Sequence, residues 1–310
     1  MPVLEVSNLR KSYNGTRAVD DVSFSIEAGE VFGLLGPNGA GKSTTINIIA
    51  TMVAPDGGAV AVGGTTSSQA AAYKRQLGYV PQEVSLAQRL TAEENLRLFG
   101  RLYDLSEVEL GSRVAAVLEA VGLSDRASDL VATFSGGMKR RLNIAAALLH
   151  RPALFLMDEP TVGVDPQARA YIFEMVERLA AEGRAILYTT HYMEEAQRLC
   201  RRIAVIDRGR ILACGTLAEL IQGIRAKRDL TIQGRGLDDE VAAGIAQRLG
   251  DVPCTLEDQT AHFSVEMTGE PILDAARAAA DAGFRPTAIS LNEPTLEMVF
   301  LELTGRALRD

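Results

Sequence analysis

The segment Gly36-Pro37-Asn38-Gly39-Ala40-Gly41-Lys42-Ser43-Thr44 fits the pattern G-x-x-x-x-G-K-[ST]. Its glycines let successive backbone N–H groups turn inward as an anion nest, and a helix N-terminus behind them adds its positive dipole end. Lys42 is then placed to reach terminal phosphates, and the Ser43 hydroxyl to ligate Mg²⁺. The flanks agree, because the apolar run Val31 to Leu35 reads as a strand and Thr44 to Ala50 as a helix. The chemistry that follows is binding of nucleotide phosphates. A second cluster is Leu154-Phe155-Leu156-Met157-Asp158-Glu159-Pro160, an apolar strand ending in two carboxylates. Two acids at a strand end are often merely solvated. Downstream of a phosphate loop, Asp158 is expected to hold Mg²⁺ through water, and Glu159 to accept a proton from, or orient, an attacking water. Gln82, in Tyr79-Val80-Pro81-Gln82, and His191, after the strand-like Ala185 to Thr189, carry little weight alone. A third segment, Phe134-Ser135-Gly136-Gly137-Met138, opens a helix through Leu142 to Leu149 with Ser135 as its N-cap. Lys139, Arg140 and Arg141 fall in the first turn, where cations oppose the macrodipole. Such a turn either receives an anion or is simply solvated.

These residues need elements to hold them. Val31 to Leu35, Ala153 to Met157 and Ala185 to Thr189 are short apolar runs alternating with helical patterns. Strands buried on both faces belong to the largely parallel sheet of an α/β domain. Leu4-Glu5-Val6 and Val22-Ser23-Phe24-Ser25-Ile26 alternate instead, which predicts an antiparallel layer with one wet face. The tail reads as strand Leu230–Gln233, helix Asp239–Leu249, strands Thr255–Glu257 and His262–Met267, helix Ile272–Ala282 and strand Pro286–Leu291. That β-α-β-β-α-β order is ferredoxin-like. A last helix is expected from about Pro294 to Leu303, with Gly305 as its stop.

Charge supports two domains. Of the net −8 on 310 residues, residues 223–310 carry −6. The expected division is 1–222 and 223–310, with a linker near 221–228. An acidic chain lacks the basic footprint of a general nucleic-acid binder. The longest apolar run, Ile144 to Leu149, has six residues, where a membrane span needs about twenty. The opening Met1 to Glu5 lacks the layout of a secretory signal. Three cysteines without a CxxC pair fit free thiols in a reducing compartment.

Taken in order, these motifs resemble those of the ATP-binding subunits of ABC transporters over about residues 3–220. Tyr13 resembles the aromatic residue that stacks on adenine, residues 36–44 Walker A, and Gln82 the Q-loop. Ser135-Gly136-Gly137 resemble the signature, Asp158-Glu159 Walker B with its catalytic glutamate, Gly163-Val164-Asp165 the D-loop, and His191 the switch histidine. Phe134 and Met138 replace the usual signature Leu and Gln, and Val164 the usual D-loop Leu; no polar catalytic group is lost. Gly-Gly-Met-Lys-Arg-Arg, with Asn292 to Phe300 in the tail, is similar to exporter ATPases of the daunorubicin-resistance and nodulation-factor type.

The resemblance implies a P-loop ABC ATPase domain: a mixed sheet, an antiparallel β subdomain and a helical subdomain carrying the signature. A small α+β accessory domain, with an interaction or regulatory role, follows it. It implies catalysis by Glu159, His191, Lys42 and Gln82, with Mg²⁺ held by Ser43, Gln82 and Asp158. ATP would be bound by Tyr13, Gly36, Asn38, Gly39, Gly41, Lys42, Ser43 and Thr44, and by Ser135, Gly136 and Gly137 of a second copy in a head-to-tail homodimer. A separate transmembrane permease, met through Val84 to Phe99, would export drug-like or lipid-like molecules. The subunit itself would be cytoplasmic, peripheral on the cytoplasmic face of the cell membrane. The alternative is a soluble ABC ATPase acting on DNA or ribosomes; such proteins typically carry a long coiled coil or paired nucleotide domains. A GTP switch would predict Asn-Lys-x-Asp, which the sequence lacks.

Overall fold

The computed structural model describes residues 2–223, 228–265, 270–292 and 295–305. The chain divides into one compact unit ending at Leu217 and a second beginning at Ala218. The first unit runs β1 (Leu4–Tyr13), β2 (Thr16–Ile26), β3 (Val31–Leu35), α1 (Lys42–Ile49), β4 (Gly57–Val62), β5 (Thr65–Thr66), α2 (Ala70–Lys74) and β6 (Leu77–Val80). It continues through α3 (Ala92–Leu102), α4 (Glu107–Ala120), α5 (Gly136–Leu148), β7 (Leu154–Asp158), α6 (Pro166–Ala181), β8 (Ala185–Thr190), α7 (Met193–Leu199), β9 (Arg202–Asp207) and β10 (Arg210–Gly215).

Two sheets form, in the orders β2-β1-β4-β5 and β10-β9-β3-β8-β7-β6. The first is antiparallel throughout, and β1 alternates buried and exposed residues along its first half, the one-sided layer its alternation predicts. In the second, β9, β3, β8, β7 and β6 run parallel and only the edge strand β10 is antiparallel. Every residue of β3, β7 and β8 is buried, which is why these strands read as unbroken apolar runs. Side chains of β7 sort by their period of two. Leu154 and Leu156 join Leu4, Ile26 and Ile46 in the core below the antiparallel sheet. Phe155 and Met157 join the residues of α3 to α6 in the other core.

The parallel arrangement positions the chemistry. Because β3, β6, β7 and β8 point the same way, their carboxyl ends share one edge of the sheet. The phosphate loop leaves β3 there, Gln82 follows β6, Asp158 ends β7 and His191 follows β8. The helices α3 and α4 are each entered through a capping box, Thr91 with Glu94 and Ser106 with Glu109.

The helix α8 (Leu217–Gly223) begins at the division between the units, and the proposed 222/223 boundary falls at its end. Residues 224–227 of the expected linker, with Met267 and Pro294, lie outside the described residues. The second unit contains β11 (Arg228–Gln233), α9 (Asp239–Arg248), β12 (Cys254–Glu257), β13 (Thr260–Val265), α10 (Pro271–Asp281), β14 (Ala288–Asn292) and α11 (Leu296–Thr304). Its sheet order β12-β13-β11-β14, antiparallel at every pairing, is the ferredoxin-like arrangement. The two helices α9 and α10 bury alanine-rich faces against Leu230, Ile232, Phe263 and Phe284. Thr295 caps the start of α11, and Gly305 ends it in the left-handed region at φ +67°.

Candidate functional site

Close backbone packing dictates the glycines of the phosphate loop. At Gly36 an added Cβ would lie 2.2 Å from the Ile206 carbonyl oxygen. Gly41, the N-cap of α1, sits at φ +108°, and a Cβ there would lie 2.4 Å from the Ala18 carbonyl oxygen. Only glycine fits either position. With the loop so folded, the Lys42 ammonium turns back into it and donates to the carbonyls of Gly36 (2.7 Å) and Pro37 (3.2 Å). A third contact is an ion pair with Glu159 Oε1 at 3.1 Å, both side chains being almost fully buried.

Glu159 is where the other expected residues meet. Its Oε2 accepts from Gln82 Nε2 at 3.4 Å and lies 3.2 Å from His191 Nδ1, the latter without hydrogen-bond alignment. Its backbone stands in the left-handed region at φ +45°, a conformation that costs a non-glycine residue of order 1–3 kcal/mol and concentrates at functional sites. Thr189 helps to hold it, accepting the Glu159 N–H on its hydroxyl (3.0 Å) while donating that hydroxyl to Asp158 Oδ1 (2.7 Å). Asp158 also accepts from the Ser43 hydroxyl at 3.3 Å. Burial pushes the Asp158 carboxyl above its usual pKa, against the hydrogen bonds from Thr189 and Ser43 that pull it down. A desolvated carboxylate facing a hydroxyl beside a phosphate loop is an all-oxygen donor set, and it fits a hard divalent cation. Lys42, Ser43, Thr44, Gln82, Glu159 and His191 all line one cleft of about 470 Å³. Such a site can bind phosphates, hold a metal and offer a carboxylate to water.

A family model described as "ABC transporter" matches residues 19–162. The linearmycin resistance ATP-binding protein LnrL of Bacillus subtilis is 42% identical over 99% of this chain and 100% of its own. The chain belongs to the ABC transporter ATP-binding proteins. Nod factor export ATP-binding protein I of Ralstonia nicotianae is 40% identical over 100% of this chain and 96% of its own. The daunorubicin/doxorubicin resistance ATP-binding protein DrrA of Streptomyces peucetius is 38% identical over 99% and 94%. Among solved structures, the dimeric post-hydrolysis state of the ATP-binding cassette MJ0796 with ADP and Pi superposes at a TM-score of 0.63. It is 27% identical, covering 69% of this chain and 98% of that one. The chain is thus an ABC ATPase that binds ATP, and the resemblance to the daunorubicin and Nod factor proteins holds. Subunits of this kind dimerise and work with membrane components.

Two groups of expected ABC residues stand apart from that cleft. Ser135, which caps α5 by accepting from Met138 N at 3.2 Å, lies with Gly137, Asp165 and Gln167 in a separate hollow of about 270 Å³. Tyr13 ends β1, 46% exposed, with Lys11 Nζ 5.5 Å from its ring centroid; it is not among the residues lining the cleft. Within the basic turn after the signature, Arg140 departs from both readings of it. Arg140 is buried, and its guanidinium donates to the carbonyls of Pro160 (2.6 Å), Pro81 (2.5 Å) and Glu159 (2.9 Å). Arg141 lies over the Tyr171 ring and donates to the Val121 carbonyl. Neither side chain presents its charge as a freely solvated group, and Arg140 meets carbonyls rather than an anion. Thr189 and Glu195 also carry no warning in the sequence. The buried Glu195 carboxylate accepts from Thr161 (2.7 Å), Tyr188 (3.0 Å) and Thr190 (3.0 Å), bracing the chain before the D-loop and before His191. A single glutamate in a helix pattern, or a threonine in a strand pattern, looks like propensity alone.

Proposed function

We propose that this chain is the ATP-hydrolysing subunit of an exporter whose transport path is a separate membrane-spanning permease. The observation that supports hydrolysis is the convergence of Lys42, Gln82 and His191 on the Glu159 carboxylate, beside Ser43 and Asp158; export is supported by the likeness to the resistance and Nod factor export proteins. On binding ATP, Lys42 exchanges its loop carbonyls and Glu159 for the β- and γ-phosphates, and backbone N–H groups from Asn38 to Thr44 cradle them. Ser43, Gln82 and Asp158 would hold Mg²⁺, with Asp158 acting through water, and the ion would supply positive charge against that developing on the phosphates. Glu159 takes a proton from the attacking water and His191 orients the γ-phosphate and that water. Tyr13 supplies an aromatic face for adenine. With Ser135, Gly136 and Gly137 from a second copy closing over the nucleotide, the active form is a head-to-tail homodimer.

This reading expects phosphate release from ATP that requires Mg²⁺. Chelation by EDTA should remove turnover and added Mg²⁺ should restore it. Hydrolysis at an unchanged rate in excess EDTA would overturn the metal assignment.

The transported molecule, on this reading, is drug-like or lipid-like, as the names of the resistance and Nod factor relatives suggest. Residues 223–310 serve as an accessory unit for interaction or regulation. Among the described residues no helix is long and apolar enough to cross a membrane. Attachment to the cytoplasmic face then depends on the permease, met by the stretch from Val84 to Phe99. Expressed alone, the chain should remain in the supernatant after membranes are pelleted, and co-expression with its permease should move it to the pellet. Pelleting in cells that lack any such permease would contradict this.

A further inference from the structure

We propose that Arg140 is a positioning residue for ATP hydrolysis, holding the Glu159 carboxylate and the Gln82 loop in one register by binding the carbonyls of Pro81, Glu159 and Pro160. The inference rests on the reading of Glu159 as the group that takes a proton from water. Arg140 is the largest fully buried side chain among the described residues, at 2% exposure, and no acidic side chain there forms an ion pair with it. Packing alone does not call for a guanidinium, since an apolar chain of similar length would fill the same space without a desolvated charge. What guanidinium adds is a planar fork of donors in fixed directions, able to reach several acceptors at once. Here three of those donors end on three backbone carbonyls from two separate segments.

The segments are the ones that matter. Pro81 directly precedes Gln82, and Glu159 and Pro160 carry the carboxylate onto which Lys42, Gln82 and His191 converge. Glu159 is therefore gripped on both sides: its N–H by the Thr189 hydroxyl and its C=O by Arg140. That double hold keeps the residue at φ +45°. If the carbonyl side is released, the peptide can turn, and the carboxylate swings away from Lys42 and Gln82. The prolines stiffen the transmission because their own φ is locked by the ring. Arg140 also stands on α5, the helix that Ser135 caps, so one side chain ties the signature helix to the catalytic carboxylate.

The test uses the full chain with Arg140→Gln and Arg140→Lys, each also combined with Glu159→Gln. Measurements are kcat and KM for ATP hydrolysis, affinity for a fluorescent ATP analogue, and melting temperature. Misplacement of a reacting group by about 1 Å can cost on the order of 10²-fold, so Arg140→Gln should lower kcat by about 10- to 100-fold. KM and analogue affinity should stay within about threefold, because the phosphate loop is untouched. Arg140→Lys, which keeps the charge but loses the fork, should fall between Arg140→Gln and wild type. In the Glu159→Gln background the further loss from Arg140→Gln should be several-fold smaller than in the wild type, since the carboxylate being positioned is gone and only the Gln82 loop remains to be held. A wild-type kcat in Arg140→Gln, with Glu159→Gln inactive, overturns the proposal and leaves the Glu159 reading intact. Equal loss in both backgrounds also overturns it, because Arg140 then supports the fold rather than the carboxylate. Wild-type turnover in Glu159→Gln instead sinks the Glu159 reading itself. Should Arg140→Gln fail to fold, Arg140→Lys decides: a wild-type kcat there counts against the proposal.

Discussion

Glu159→Gln should lower ATP turnover by about 10²–10⁴-fold, the range over which a positioned general base acts, while nucleotide affinity stays the same or rises. The substitution preserves shape, so the positive-φ backbone at residue 159 and its contacts to Thr189 and Arg140 have no reason to change. What it removes is the charge that pairs with Lys42 at 3.1 Å. Lys42 then has one fewer partner to give up when phosphates arrive, and a carboxylate that would repel them is gone. The same loss eases ionisation of Asp158: burial is the main reason its carboxyl is raised, and Glu159 adds to it. A neutral residue 159 therefore favours a charged Asp158 and a firmer metal site. The two effects separate cleanly in an experiment, with phosphate release giving the rate and equilibrium titration with a fluorescent nucleotide giving affinity. Turnover at the wild-type rate would remove Glu159 from its role.

Much of this site was legible because its residues sit at strand ends. A buried parallel strand announces itself as an apolar run, and the first polar residue after it lies at the functional edge of the sheet. Gly36 to Thr44 after β3 and Asp158 and Glu159 at β7 are found that way, whereas His191 after β8 carries little weight alone and draws its meaning from the family resemblance. The tail was legible for a similar reason, its strand and helix periods being distinct enough to order the elements, with ends displaced by a residue or two. Other features were not, because tertiary contacts decide them. Glu159 precedes Pro160, which biases a residue toward extended backbone, yet it stands at φ +45°. Thr189 and Arg140, remote in sequence, hold its two peptide groups there. Arg140 itself lies in a basic triplet at a helix start, where solvation is the ordinary outcome. Nothing local reveals that its partners are carbonyls at positions 81, 159 and 160. The helix spacing puts Arg140 on the inner face only once the position of β7 is known.

The second large effect concerns how two chains share ATP. Within one chain the hollow holding Ser135 is separate from the cleft holding Lys42. A nucleotide that needs both must therefore take them from different copies. Lys42→Ala and Ser135→Arg homodimers should both be inactive, because each carries its lesion in both sites. A mixed dimer is different: one site inherits both lesions and the other inherits neither. Random exchange in an equal mixture makes about half of the dimers mixed, each with one good site, and recovers about a quarter of wild-type activity if the sites act independently in a two-fold dimer. Coupling between the sites would lower turnover without abolishing the intact site, so occlusion of labelled ATP is the more direct readout. Were each ATP handled within a single chain, Ser135→Arg would leave the Lys42 cleft competent, and that homodimer would occlude ATP by itself. If subunits demonstrably exchange and the mixture occludes no more than either parent, the shared-site model fails. Recovery above both parents would require Lys42 and Ser135 to act across the interface, since no single mutant chain contains both.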